Sequence, residues 1–387
     1  MPTPPERGCR LLLVVHRLDF GGAELQLGHL ARGLARLGHD VTVCCIDTIV
    51  LGEERLRDEG VDVISLHAAG RVARIAAIPR LVRLARRADV VHCTMWDASL
   101  WGRVAAVLAH RPAIVADHAT DRLVQITESG ARRGSWIALH NRLLDRFTYA
   151  TVACASTQRE MLASEGVDPR KIVHVPNGVP IDEIAEAAEA GPTRAALGIP
   201  DDAKVAMHVA VFRFEKNQLG ALEAVARVRE RVEDVHLVFV GDGEGREAVE
   251  RRARELDAEA WVHFLGYRDD VPGLLALADL MVLPSLSDAM PMTVLEAMAL
   301  GVPIVATDVG DVRRTLADDA GTCVPVGDED ALADACARAL ADPVLHERQS
   351  RAGRAIARRF DASTMAERYS KLFRAACAGD RSPVTGR

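Results

Sequence analysis

The amino-acid sequence predicts an α/β protein made of two Rossmann-like, doubly wound domains in series. Three observations carry the prediction. Short apolar runs alternate with helical patterns, as βαβ units require. The alternation breaks once, near residues 175–192, and then restarts. At 387 residues, the chain is too long for one ordinary α/β core and comfortable for two.

In the first half, strands are expected at Leu11–His16, Val41–Ile46, Val61–Leu66, Val90–Cys93, Ala113–Ala116, Val152–Ala155 and Ile172–Val175. The clearest helical patterns between them are Ala23–Leu37, Arg74–Arg87 and Ala98–Leu108. The run Val175-Pro-Asn-Gly-Val-Pro180, an acidic, alanine-rich stretch and Gly191-Pro192 then interrupt the pattern. Strands resume at Val205–Val211, Val235–Val240, Val262–Leu265, Leu280–Leu283 and Ile304–Ala306. The expected domains are residues 1–178 and 179–360, then a C-terminal helix over 361–377 and a disordered tail over 378–387. Ligands of open α/β sheets sit beyond the carboxyl ends of the strands, so the active site is expected in a cleft between the two domains.

Composition narrows the function classes. Apolar residues make up 49% and charged residues 27%, the balance of a packed globular protein. A net charge of −7 lacks the basic excess of a nucleic-acid binder, so no nucleic-acid partner is expected. The eight cysteines are scattered without metal-ligand spacing, which predicts buried free thiols in a reducing cytoplasm and no metal site. The apolar run after the polar, proline-rich start is too short for a signal peptide, and no eighteen apolar residues run together. A soluble, cytoplasmic protein is the expectation.

Three motifs carry chemistry. The first is Pro284-Ser-Leu-Ser-Asp288-Ala-Met-Pro291-Met292-Thr293-Val294-Leu-Glu296, closing at Gly301. A strand ends in a polar loop holding Asp288, and a helix starts near Pro291. The N–H groups of Met292, Thr293 and Val294 at such a helix start point at an anion. Glu296, one turn in, is expected to stay ionised under the helix dipole and to accept from two neighbouring hydroxyls, as a ribose presents. A capped helix with a surface glutamate and a loop aspartate is the alternative.

The second motif is Val211-Phe-Arg213-Phe-Glu-Lys216-Asn-Gln218, at a strand–helix junction where two cations can converge on one diphosphate. Departure of a group bonded to that diphosphate would build charge there, so these cations could act in a transition state as well as in binding. The third is Phe20-Gly21-Gly22-Ala-Glu24, where glycines let a ligand approach the backbone at a helix start. Strand–Gly-Gly–helix is also common structural punctuation.

Together these motifs resemble the GT-B retaining glycosyltransferases of family 4, the group that includes glycogen and sucrose synthases. The resemblance covers nearly the whole chain and is most specific between Val262 and Gly310. It implies a C-terminal helix crossing back to the first domain, which would bind the acceptor, while the second binds the nucleotide sugar. In that family two acidic residues with seven between them grip the donor, and Asp288 and Glu296 stand at that spacing. The likeness assigns Glu296 to the ribose, Asp288 to a sugar hydroxyl, and Arg213 and Lys216 to the diphosphate. It also assigns the Gly21-Gly22 backbone, Asn177 and Tyr267 to the donor pocket and His118 to the transferred sugar. A lone histidine such as His118 is equally read as a structural residue.

Two departures stand out. Asp288-Ala289 replaces the family's glutamate and glycine, shortening the reach by about one C–C bond. Gly310-Asp311-Val312-Arg313 replaces a Gly-Gly followed by glutamate.

The resemblance implies no cofactor, a nucleotide diphosphate sugar as donor (a UDP-sugar is favoured), and a hydroxyl acceptor whose identity stays open. Residues 71–87 form a basic amphipathic helix that suits either a peripheral contact with anionic lipid or an ordinary cover helix with a solvated arginine face. Rival classes are an epimerase or phosphorylase of the same fold and a non-catalytic sugar-nucleotide binder. A nicotinamide-dependent dehydrogenase needs a third glycine after the first strand, which is lacking.

Overall fold

The computed structural model describes residues 8–18, 21–50, 52–117 and 139–382. Two compact units emerge, one formed by residues 1–178 with 362–387 and the other by 179–361.

The first unit holds a seven-stranded parallel sheet. Its strands are β1 (Arg10–Val15), β2 (Asp40–Cys45), β3 (Asp62–Ser65), β4 (Val90–Thr94), β5 (Ala113–Asp117), β6 (Thr148–Ala153) and β7 (Ile172–His174), in the order β3-β2-β1-β4-β5-β6-β7. The second unit holds β8 (Lys204–Val209), β9 (Val235–Val240), β10 (Val262–Phe264), β11 (Leu280–Leu283), β12 (Ile304–Thr307) and β13 (Thr322–Val324), in the order β10-β9-β8-β11-β12-β13. Neighbouring strands in both sheets pair in parallel. A parallel sheet is covered on both faces, which is why its strands are continuous apolar runs. Every residue of β6, β9, β11 and β12 is buried.

The doubly wound, two-domain α/β architecture is as the sequence predicts. Strand β13 is an addition, and β6 begins at Thr148, four residues before the expected Val152.

The last helix, Ala362–Ala378, belongs to the first unit. Its Met365, Tyr369, Leu372 and Phe373 join one core cluster with Leu11 and Leu13 of β1 and with Leu27, Leu30 and Leu34 of the helix Gly22–Arg36. The two helices approach so closely that a Cβ on Gly33 would lie 2.5 Å from the Cβ of Ala366. His92 meets the rings of Tyr369 and Phe373 edge-on.

A disordered tail from residue 378 does not hold as far as 382. Ala378 closes the helix, Asp380 accepts at its backbone carbonyl from the Tyr149 hydroxyl, and the Arg381 guanidinium lies 5.1 Å over the Tyr149 ring. Packing on Tyr149 orders this stretch. The chain enters and leaves the second unit side by side, with Val179 N–H donating to the Phe360 carbonyl (2.9 Å). No described helix is long and apolar enough to cross a membrane.

Candidate active site

In both sheets the strand order reverses beside the first strand, between β1 and β4 and between β8 and β11. Loops leaving two such strands diverge to opposite faces, and the crevice between them is where ligands of open α/β sheets bind. In the second unit the loop after β8 carries Arg213 and Lys216, and the loop after β11 carries Asp288. Strand order thus brings together two motifs that lie 72 residues apart in sequence.

The two loops are tied by specific bonds. Leu286 N–H donates to the Glu215 carbonyl (2.8 Å), and the Asn217 side-chain amide donates to the Pro284 carbonyl (3.2 Å). Asn217 sits in the left-handed region at φ 52° and caps the helix Gln218–Val228 by accepting from Gly220 N–H (3.2 Å). This fixes the turn that aims Lys216, whose ammonium forms an ion pair with the Asp288 carboxylate. Asp288 also accepts from its neighbour's Ala289 N–H (3.0 Å). Arg213 is the looser cation, with a mostly exposed side chain that faces the Glu215 carboxylate only at 4.0 Å.

The β12 loop braces this arrangement from below. Asp311 N–H donates to the Ala289 carbonyl (2.9 Å). Gly310 has φ 51°, and a Cβ there would lie 2.1 Å from that same carbonyl oxygen and 2.4 Å from that of Asp288. Only glycine fits under the acidic loop.

The helix spans Met292–Leu300 with Pro291 just outside it as the N-cap, one position earlier than the expected first-turn place. No side chain caps it, so the first N–H groups, at Met292, Thr293 and Val294, lack intrahelical partners. Gly301 ends it at φ 70°, as expected.

Glu296 corrects one expectation. The residue is only half-buried, yet desolvation of its carboxyl pushes the pKa up to about 7. Desolvation outweighs a dipole whose influence fades within the first turn. No ion pair or hydrogen bond from another described residue offsets it.

Tyr267 is half-exposed after Gly266, whose carbonyl accepts from Gly241 N–H (2.8 Å), so it hangs on the loop leaving β10 in the same unit. Gly21, Gly22 and buried Asn177 belong to the other unit. Gly21 precedes the helix Gly22–Arg36, and Glu24 folds back so far that a Cβ on Gly21 would meet its Oε2 at 2.1 Å. His118 lies outside the described residues.

Sequence reasoning missed two features. His208, at the end of β8, is wholly buried and hydrogen-bonded through Nδ1 to the Val282 carbonyl of β11 (2.8 Å). Burial lowers its pKa to about 4, so it stands neutral beneath Lys216. Its apolar flanks disguised it as a core residue.

The second is at the reversal in the first unit. Arg74 donates to His16 Nε2 (3.3 Å) and faces the Asp97 carboxylate at 3.8 Å. Arginine only donates, so His16 Nε2 is the acceptor and Nδ1 carries the proton. Burial first, then the Arg74 charge, lower the His16 pKa. Nδ1 of His16 and Nε of Arg74 are buried donors with no partner among the described residues. Arg74 therefore turns inward and leaves the exposed face of the helix Gly70–Arg87, which keeps Arg71, Arg80, Arg83, Arg86 and Arg87 with Val72 and Ile75.

Residues 191–356 match the family model described as glycosyl transferases group 1, and residues 21–178 match a glycosyl transferase 4-like domain. A phosphatidyl-myo-inositol mannosyltransferase of Mycobacterium leprae is 30% identical over 79% of each chain. A UDP-Gal:alpha-D-GlcNAc-diphosphoundecaprenol alpha-1,3-galactosyltransferase of Escherichia coli is 29% identical over 67% of this chain and 68% of its own. HepE of Anabaena, solved in complex with UDP and glucose, superposes with a TM-score of 0.82 at 20% identity, covering 95% of this chain and all of its own.

The elevated Glu296 pKa makes a prediction. If the carboxylate clasps a ribose it must be ionised, so in the folded protein nucleotide binding releases a proton below about pH 7. Calorimetric titration with a nucleoside diphosphate should show affinity falling as pH drops from about 8 to about 6 and proton release at the lower pH. Glu296→Gln should flatten that dependence. A wild-type affinity flat across this window would refute the assignment.

Proposed function

The chain belongs to the glycosyl transferases group 1, the GT-B glycosyltransferases of family 4, and from that premise we propose that it moves a hexose-type sugar from a UDP-sugar to a hydroxyl acceptor with retention of configuration. The observation that carries the reading is the convergence of Arg213, Lys216 and the Met292 helix start on one sheet edge. Breaking the bond between sugar and diphosphate leaves two negative charges on the departing phosphate. Preorganised donors aimed at charge as it develops stabilise the transition state more than the ground state. Arginine binds in a fork, lysine as a point charge, and the helix start adds backbone N–H groups. With protein groups supplying this charge, the reaction needs no metal.

In this reading the second unit holds the donor: Glu296 on the ribose, Tyr267 near the base, and Asp288 reaching a sugar hydroxyl while it orients Lys216. The acceptor hydroxyl attacks from the face that the diphosphate leaves, and the leaving phosphate oxygen takes its proton. A UDP-sugar is favoured because HepE was solved with UDP and the E. coli relative is named for UDP-Gal.

The first unit holds the acceptor. The M. leprae relative is named for phosphatidyl-myo-inositol and the E. coli one for a diphosphoundecaprenol-linked sugar. A lipid-linked acceptor carrying phosphate suits this chain, since Arg74 and His16 have donors without a partner among the described residues at the first sheet's reversal. The exposed Arg71, Val72, Ile75, Arg80 and Arg83 would rest on anionic headgroups at the inner face of the membrane, with the protein otherwise cytoplasmic.

Three measurements test these assignments. Arg213→Ala and Lys216→Ala should each lower kcat for UDP-sugar turnover by roughly 10²–10³-fold, and a near wild-type rate in either would remove the phosphate assignment. Arg74→Ala should raise KM for a phosphate-bearing acceptor while leaving UDP-sugar affinity unchanged; an equal loss of donor affinity would count against an acceptor role. Flotation with vesicles containing phosphatidylserine should recover the protein at low salt and lose it at high salt, and recovery independent of anionic lipid would end the membrane contact.

A further inference from the structure

The sulfur atoms of Cys9 and Cys377 stand 2.7 Å apart although 368 residues separate them in sequence. Cys9 is buried just ahead of β1, while Cys377 is exposed near the end of the last helix. We propose that the two form a reversible disulfide, a redox modification site that latches the last helix onto the first unit's sheet.

The surroundings hold the pair in place from both sides. Cys9 N–H donates to His39 Nδ1 (3.1 Å), which leaves His39 Nε2–H to donate to the Ser370 hydroxyl (2.7 Å). Arg374 donates to the same hydroxyl (3.3 Å). Ser370 and Arg374 lie on the helix that carries Cys377, so strand start and helix are already registered by hydrogen bonds. Closing the remaining gap to a disulfide bond of about 2.05 Å takes side-chain rotation, not a backbone movement.

None of the other six cysteines is placed in such a pair. Cys44 and Cys45 are consecutive in β2 and face opposite sides of the sheet. Cys93, Cys154 and Cys336 are buried, and Cys323 is half-buried. All eight are free thiols, as expected, but Cys377 is exposed and Cys323 half-buried, so the expectation that all are buried fails at these two.

The chemistry is thiol–disulfide exchange, with a low-molecular-weight disulfide as oxidant. The exposed Cys377, as thiolate, attacks one sulfur of the small disulfide and expels a small thiolate, giving a mixed disulfide. The Cys9 thiolate then attacks Cys377 Sγ and expels the second small thiolate. Two protein thiols are oxidised, one small disulfide is reduced to two thiols, and the two protons pass to the released thiolates. Although the residue as a whole is exposed, its sulfur is partly desolvated, and this with the adjoining Cys9 thiol holds the Cys377 pKa above the ordinary range. Proximity rather than nucleophilicity favours the pair, and the exchange is slow at neutral pH.

The test is incubation of the whole protein with glutathione disulfide, quenching with an alkylating reagent under denaturing conditions, and peptide mapping. The expected product has six alkylated cysteines of the eight present, a Cys9–Cys377 linked peptide, and full recovery of eight on reduction. Cys377→Ser, at an exposed position that tolerates the change, should keep all its remaining thiols. Cys9→Ser should instead trap glutathione on Cys377. Eight free thiols after prolonged oxidation, a different linked pair, or a stable glutathione adduct on wild-type Cys377 would each overturn the proposal.

Discussion

A parallel sheet covered on both faces has one outlet for polar chemistry, the edge where its strands end, and in the second unit everything depends on the reversal between β8 and β11. The helices that cover the two faces are committed to apolar packing, so cations and carboxylates can gather only in the loops beyond that edge. The reversal makes two of those loops neighbours. Arg213 and Lys216 arrive on one and Asp288 on the other, and the bonds from Leu286 to Glu215 and from Asn217 to Pro284 clamp them. Without the reversal, the two motifs would be charged loops on opposite sides of a sheet.

Charge balance at this edge is uneven. Lys216 and Asp288 largely cancel one another, with both side chains mostly buried, while Arg213 is exposed and only loosely compensated. A buried pair of this sort resists the loss of either partner, because the survivor stays desolvated and alone. Glu296 belongs to the same economy from the other direction. It is an acid held near neutrality by desolvation, suited to gaining charge when hydroxyl groups arrive to donate to it. Its spacing from Asp288 is a sequence property, whereas its protonation is a property of the packed helix.

That contrast marks how far the sequence is legible. Apolar runs announce the strands, and the Pro-Asn-Gly-Val-Pro interruption marks where the chain passes into the second unit. The sites of Lys216, Asp288 and the Met292 helix follow from strand-end and helix-start signals. Features that depend on a distant neighbour are another matter. β13 is a three-residue strand whose first two residues are only half-buried, too short for a periodic signal. Arg74 reads as one more arginine of a basic helix, and only the fold turns it toward His16 and Asp97. His208 looks like a core residue until its bond to the Val282 carbonyl places it at the strand end. Cys9 and Cys377 sit at opposite ends of the chain, and no local pattern could pair them.

The return of the last helix to the first unit has a consequence for biosynthesis. Residues 1–178 leave the ribosome before the second unit, yet their core contains Met365, Tyr369, Leu372 and Phe373, which leave it after that unit. The second unit, continuous from Val179 to Asp361, can complete its own core while the earlier one still waits with an uncovered apolar face. The nascent first unit is therefore the stretch that must be shielded from self-association until the last helix has emerged.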